Sequence, residues 1–385
     1  MRVSFSHRRI FIAPAVVLVG LLCGPHALAS AMFQGLGDLP GGTEISSAFS
    51  VTPDGSVVVG ASMSAQGFEA FKWDAINGMI GLGDLPGGDY FSTARGVSSD
   101  GMVVVGYSDS IHSPAGYEAF RWTPGSGMVG LGDLAGGVFD SRVMDVSADG
   151  SVLVGWSSSG SGNMEAFTWT SGSGMIGLGD LPGGSFDSMA SDVSADGSVI
   201  VGRGSIEHNG NNYSQAFRWT ASGGMVALEG LSTEAVAVSN DGSVVVGNYV
   251  DPTGRVGGVV WPENGTLTYL DTPVTPYDQT LPFDLSGDGS VIVGLAFTSQ
   301  GPQAVIWDSP NNARLLQDVL TDLGLDLTGW TLESATGISD DGLTIVGTGI
   351  NPAGHSEAFI VRLPEPATIT LLTLATLTAV NRRKH

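Results

Sequence analysis

Ala94-Arg95-Gly96-Val97-Ser98-Ser99-Asp100-Gly101-Met102-Val103-Val104-Val105-Gly106 is the stretch on which the fold turns. Small and β-branched residues flank an Asp-Gly pair, and Asp and Gly both tolerate the positive φ of a two-residue hairpin. The stretch therefore predicts two antiparallel strands and a tight turn. The same pair returns as Asp54-Gly55, Asp149-Gly150, Asp196-Gly197, Asp241-Gly242, Asp288-Gly289 and Asp341-Gly342, making seven units at intervals of 45 to 53 residues.

A third run in each unit carries an aromatic pair: Phe71/Trp73, Phe120/Trp122, Phe167/Trp169 and Phe217/Trp219, decaying to Val259/Trp261 and Val305/Trp307. Spacing i, i+2 puts both side chains on one face of a strand, which recurring core packing requires. A fourth run begins at Gly-Met and ends in Leu-Gly-Asp-Leu, as from Gly127-Met128 to Leu134. Four strands per unit of about 47 residues is the period of a propeller blade. The expectation is an all-β, seven-bladed β-propeller over residues 32–363, with an open β-solenoid as its competitor.

The last unit supplies Ala335 to Ser339, Leu343 to Gly347 and Ala358 to Leu363, but no fourth strand. An orphan, Phe33 to Gly42, matches the fourth strand of the other units. Pairing Phe33 to Leu39 with Ala358 to Leu363 would close the last blade with the N-terminal strand and remove an open edge. Between Asn311 and Trp330, Leu315, Leu316, Val319, Leu320 and Leu323 fall at helical spacing, with Asn312 as a possible cap and Gly324 as a stop, so a short helix is expected on the sixth blade.

The two ends read differently. Arg2, Arg8 and Arg9 precede an apolar run to Cys23, and Ala27-Leu28-Ala29 offers a cleavage site, so residues 1–29 are expected to be a secretory signal. Cys23 is the chain's single cysteine and should leave with it, which excludes disulfides and thiolate chemistry from the mature protein. At the C-terminus Pro364-Glu365-Pro366 precedes an uncharged segment and Asn381-Arg382-Arg383-Lys384-His385. Residues 364–385 resemble the PEP-CTERM sorting signal of Gram-negative bacteria. That resemblance implies an exosortase-type sorting protease as partner, a transient membrane contact through the tail, and an extracellular or outer-surface location.

The chain holds 38 acids against 15 Lys and Arg. Six of the bases and only Glu365 among the acids lie in the two ends. So anionic a centre repels nucleic acid and anionic membranes.

Units such as Tyr117-Glu118-Ala119-Phe120-Arg121-Trp122 to Gly137, and Gly329-Trp330-Thr331-Leu332 through Gly349, resemble the HAF family of extracellular repeats. The signature His of that family is here Glu69, Glu118, Glu165, Gln215 and Glu357. The resemblance implies an extracellular location and no particular reaction.

Catalytic motifs are missing from the sequence: there is no GxSxG elbow, P-loop, HExxH or EF-hand loop. His112, His208 and His355 fall in loops of the second, fourth and seventh units and should not converge. No metal or other cofactor is expected, and calcium has no motif to support it. The connections from one unit's fourth strand to the next unit combine rings with carboxylates: Tyr90 and Phe91, Phe139 with Asp140, and Phe186 with Asp187. Rings stack on sugars and carboxylates bond their hydroxyls. These six residues are therefore the candidate ligand site, for an extracellular glycan or a surface protein, unless the rings merely plug gaps between units. A non-enzymatic binding or structural module in an exopolysaccharide matrix is the favoured expectation. The alternative is a propeller-type glycan hydrolase or lyase using Asp140 and Asp187 as a carboxylate pair.

Overall fold

The computed structural model describes residues 31–113, 116–263, 266–273 and 279–365. The expected secretory signal, and the tail from Pro366 through Arg382 and Arg383, lie outside the described residues; of the expected sorting motif, Pro364 is buried and Glu365 exposed. Seven antiparallel sheets of four strands each account for every strand described. The chain forms a seven-bladed β-propeller.

The inner strands are Gly41–Val51, Ser92–Val97, Gly136–Val146, Met189–Val193, Thr233–Val238, Gln279–Leu285 and Thr331–Ile338, and each touches the inner strands of both neighbouring blades. Blade seven is completed from the other end of the chain, where Met32–Gly35 pairs with Ser356–Arg362 through Met32↔Arg362, Phe33↔Val361, Gln34↔Ile360 and Gly35↔Phe359. Past Gly35 only one backbone bond continues the pairing, Leu36 N–H to the Ala358 carbonyl at 2.8 Å, so the expected closure is present but shorter than Phe33 to Leu39.

Every inner strand carries a β-bulge at the equivalent place, between Ala48/Ser50, Ala94/Gly96, Val143/Asp145, Ala190/Asp192, Ala235/Ala237, Pro282/Asp284 and Ala335/Gly337. A bulge bends its strand and re-aims one side chain. It also presses the inner backbone onto the second strand, which explains the repeated glycine there. A Cβ on Gly60, Gly106, Gly155, Gly202, Gly247, Gly294 or Gly347 would run into a carbonyl oxygen of the inner strand.

The core consists of seven slabs between blades rather than one centre. Between blades one and two, Ala70, Leu82 and Leu85 meet Val104, Phe120 and Trp122. Phe71, Phe120, Phe167, Phe217, Phe359 and Trp307 are fully buried, so the aromatic pairs are packing elements, as their recurrence predicts. At about 25 cal/mol per Å² of apolar surface removed from water, such slabs are the dominant stabilising term in a chain without disulfides.

Two local expectations need correction. The fourth strands are short, as at Gly78–Gly81 and Gly127–Gly130, and Leu-Gly-Asp-Leu follows as a connector instead of a strand. Its Leu82 and Leu85 are buried in the slab; its Gly83 N–H donates to Glu69 Oε1 at 2.9 Å and its Leu85 N–H to Ser108 Oγ of the next blade at 3.0 Å. The helix spans Leu316–Asp322, begins without a side-chain cap at Leu315, and is followed by Gly324 at φ 86°. Asn312 instead bonds the Asp308 carboxylate. Leu316 and Leu320 are fully buried between blades six and seven, so the helix fills the slab that the Leu-Gly-Asp-Leu connector fills elsewhere.

Candidate functional site

The face carrying the Asp-Gly turns is built from one repeated device. In blade two Ser98 Oγ donates to Asp100 Oδ1 at 2.7 Å, Met102 N–H donates to the same oxygen at 2.9 Å, and Gly101 takes φ 66°. Only the glycine is left-handed; Asp100 is not, because its carboxylate caps the turn instead. These hydrogen bonds, the Ser98 one foremost, hold the Asp100 carboxyl below its ordinary range, and those from Ser243 pull Asp241 down to about 2. Neighbouring turns are joined by backbone bonds: Ser99 N–H to Ala148 O, Ala148 to Ala195, Ala195 to Asn240, Asn240 to Gly287, Gly287 to Asp340 and Asp340 to Pro53, all at 2.9 to 3.1 Å. The result is a tied, nearly uniform rim.

The opposite face varies from blade to blade and holds the six candidate residues, all half-buried. Burial, and then the charge and hydrogen bond of Glu69, push the Tyr90 hydroxyl up to about 12. Phe91 lies between blades one and two, with ring centroids 6.3 Å from Phe68, 6.4 Å from Tyr107 and 5.1 Å from Tyr117. Phe139 packs on the exposed His112 at 5.8 Å. Asp140 accepts the Tyr117 N–H at 3.0 Å and lies 3.6 Å from Arg142 Nε. Asp187 lies 3.3 Å from Arg203 Nη1, and its own N–H donates to Asp180 at 2.8 Å. Phe186 has no ring partner among the described residues.

Sequence reading missed the residues that tie this face together. The Arg142 guanidinium sits 5.1 Å from the Tyr107 ring, 4.5 Å from Tyr117 and 4.5 Å from Trp156, a cation–π contact to three rings. Next to Tyr117 opens a cavity of about 500 Å³, lined by Gly87 to Asp89 from the connector and by Asp109, Ser110, Ile111, Ser113 and Gly116 from blade two. Burial, followed by the charges of Asp89 and Asp84, raises the Asp109 carboxyl. A polar hollow beside a row of rings is suited to a hydroxyl-rich ligand.

The third feature lies on the axis. All seven bulged residues, Phe49, Arg95, Met144, Ser191, Val236, Phe283 and Thr336, line an axial cavity of about 410 Å³. The residues after three of the bulges are Asp145, Asp192 and Asp284. Each carboxylate reaches to a backbone amide of the next blade: Val193 N–H donates to Asp145 at 3.4 Å, Val238 N–H to Asp192 at 2.6 Å and Ile338 N–H to Asp284 at 2.9 Å. Burial first, then the charge and hydrogen bond of the neighbouring Asp192, raises the Asp145 carboxyl strongly, and burial raises Asp192 as well. Burial pushes Asp284 up to about 8. The sequence signal for these three was a carboxylate directly before the apolar residue that ends the inner strand, as in Asp145-Val146, Asp192-Val193 and Asp284-Leu285.

His112, His208 and His355 stand in or beside the second-to-third-strand loops of blades two, four and seven, and His355 pairs with Glu44 of blade one. Among the described residues no group of three or more His, Cys, Asp or Glu is placed to hold a metal ion.

No family model matches the chain, and no curated protein matches it significantly. Among solved structures, the chain is similar to the β-propeller domain of the Trilobed protease from Pyrococcus furiosus, at 11% identity over 82% of this chain and 92% of that one, with a TM-score of 0.54. That domain is described as having an open velcro topology, whereas here the N-terminal strand closes the ring. TolB from Acinetobacter baumannii is similar at 13% identity, with a TM-score of 0.44 over 70% of this chain, which spans 62% of that protein's length. Identities this low bear on the fold alone.

Proposed function

We propose that the mature protein is a non-enzymatic, extracellular binding module of the HAF-repeat type, holding exopolysaccharide or a surface protein on the face opposite the Asp-Gly turns. The observation that carries this reading is the contrast between the faces. One is a tied rim of short, near-identical turns; the other offers a polar cavity of about 500 Å³ beside the Phe91, Tyr107 and Tyr117 rings. Variable loops on a rigid scaffold are where binding usually resides. The hydrolase or lyase alternative has less support, because Asp140 and Asp187 are each engaged by an arginine of their own blade.

In the same proposal residues 1–29 direct secretion and residues 364–385 are the sorting tail. Pro364, Glu365 and Pro366 are read by an exosortase-type protease, while the apolar segment and Arg382-Arg383 hold the chain briefly at the membrane of a Gram-negative-type cell. Incubating the purified mature protein with an array of exopolysaccharides, and scoring both retention and release of reducing ends, tests the binding reading. Retention without release supports it, release favours the hydrolase, and the absence of both retention and release overturns both readings. Surface protein whose intact mass still includes Arg382 to His385 would count against tail processing.

A further inference from the structure

The axial cavity holds one cation, which has no hydrogen-bond partner among the described residues. Arg95 is the only Lys or Arg among its lining residues, and its guanidinium lies 4.7 Å over the Phe49 ring. No hydrogen-bond acceptor or carboxylate engages it among the described residues. A half-buried guanidinium with its planar fork of donors unused is an incomplete arrangement, because that fork matches a carboxylate in two parallel hydrogen bonds. Ser50 and Ser191, also on the wall, likewise have no side-chain partner among the described residues. Phe49, Met144, Val236 and Phe283 supply the apolar remainder. A volume of about 410 Å³ falls in the range of about 300 to 1,000 Å³ typical of small-molecule sites.

We propose that the axial cavity binds the carboxylate of an acidic sugar, with Arg95 clamping the carboxylate, Phe49 and Phe283 flanking the ring, and Ser50 and Ser191 meeting its hydroxyls. A uronic acid unit combines these groups in one molecule of the right size. The nearby acids do not oppose it as strongly as their number suggests. Burial raises the Asp145, Asp192 and Asp284 carboxyls, which disfavours their charged forms, and Glu234 lies 3.9 Å from Arg203 Nε. A single guanidinium among carboxylates accommodates a monoanion better than a dianionic phosphate. This site is separate from the loop face proposed above and is tested by different variants.

The experiment is calorimetric titration of the full mature protein with glucuronic acid, glucose and inorganic phosphate, repeated on Arg95→Gln, Arg95→Lys and Ser191→Met. The expected result is saturable binding of glucuronic acid and none of glucose. Affinity should fall at least ten-fold in Arg95→Gln and partly recover in Arg95→Lys. Ser191→Met fills the cavity from blade four without altering Arg95, and should also abolish binding, which keeps the test decisive if Arg95→Gln fails to fold. Absence of glucuronic acid binding, equal binding by Ser191→Met, or phosphate binding as tight as glucuronic acid would each overturn the assignment. Loss of the loop-face site alone, as in Phe139→Ala with Phe186→Ala, should leave this titration unchanged.

Discussion

The Asp340 N–H donates to the Pro53 carbonyl at 3.1 Å, tying the last Asp-Gly turn to the first across 287 positions of sequence. Six such links run round the rim, and the seventh position falls where Pro53 has no N–H to give. The rim is thus a circle with one chemically defined gap, between blades one and two.

Amide hydrogen exchange should show this circle directly. Turn amides facing solvent normally exchange fast, but those of Ser99, Ala148, Ala195, Asn240, Gly287 and Asp340 are bonded to the next blade and should exchange only when blades separate. Exchange at unprotected rates in native protein would mean that the rim is not tied.

Closure through the N-terminal strand should be worth measurable stability. The Phe33 ring packs 5.0 Å from Trp330 and 5.7 Å from Phe359, and it is partly rather than fully buried. Phe33→Ala is expected to cost about 2 kcal/mol, below the roughly 3 to 5 of a fully buried Phe. Denaturant unfolding should report that loss with a normal m-value, and no loss would show that the strand does not hold blade seven.

Stability should pass through a maximum with pH. The folded pKa of Asp284, at about 8, lies above the 3.8 usual for an aspartate. Its contribution is therefore complete below pH 4 and is lost as pH rises towards 8. The turn carboxyls Asp54, Asp100, Asp149, Asp196, Asp241 and Asp288 are lowered, so their contribution is present above pH 4 and is lost on further acidification. Asp284→Asn should flatten the decline on the alkaline side and raise the melting temperature at pH 8 by about 2 to 4 °C, the shift that about 1 kcal/mol gives a domain of this kind. A melting curve that falls equally in the variant would locate the alkaline loss elsewhere.

On the loop face, replacing Phe139 and Phe186 together by Ala should weaken glycan retention by about 1 to 3 kcal/mol, the range seen when a ring stacks on a planar ligand. A double variant that folds normally and retains glycan as the parent does would make these rings packing elements.

How much of this was readable in advance depended on whether residue type or only position recurs. Asp-Gly, the Phe/Trp pairs and the orphan Phe33-Gln34-Gly35-Leu36 repeat as residue types, so blade number and closing strand could be read from the chain. The axial ring could not. Phe49, Arg95, Met144, Ser191, Val236, Phe283 and Thr336 share no chemistry and are united only by seven bulges. Arg142 was equally hidden, since Tyr107 and Trp156 reach it from strands of two different blades and Tyr117 from the loop just before Glu118–Thr123. The recurring Glu-Ala-Phe of the third strands was visible as a pattern, but the role of its Glu was not. Glu69, Glu118, Glu165 and Glu357 each accept the N–H of a connector glycine at 2.9 to 3.3 Å, a partner defined only after the blade has folded.

The scarcity of basic residues between the two ends has a further outcome once their positions are known. Lys72 donates to the Gly101 carbonyl at 2.6 Å, Arg218 to that of Gly242, and Arg362 to that of Asp54 at 3.1 Å, each reaching from a third strand to the next blade's turn. Arg121, Arg142 and Arg203 likewise lie within paired strands. A trypsin-like protease cuts extended, accessible chain after Lys or Arg, and here nearly every such bond is locked in a ladder. Arg255, in the exposed loop just before Val256–Pro262, is where a first nick should fall. In the extracellular setting proposed above, this disposition of charge would work as armour against digestion.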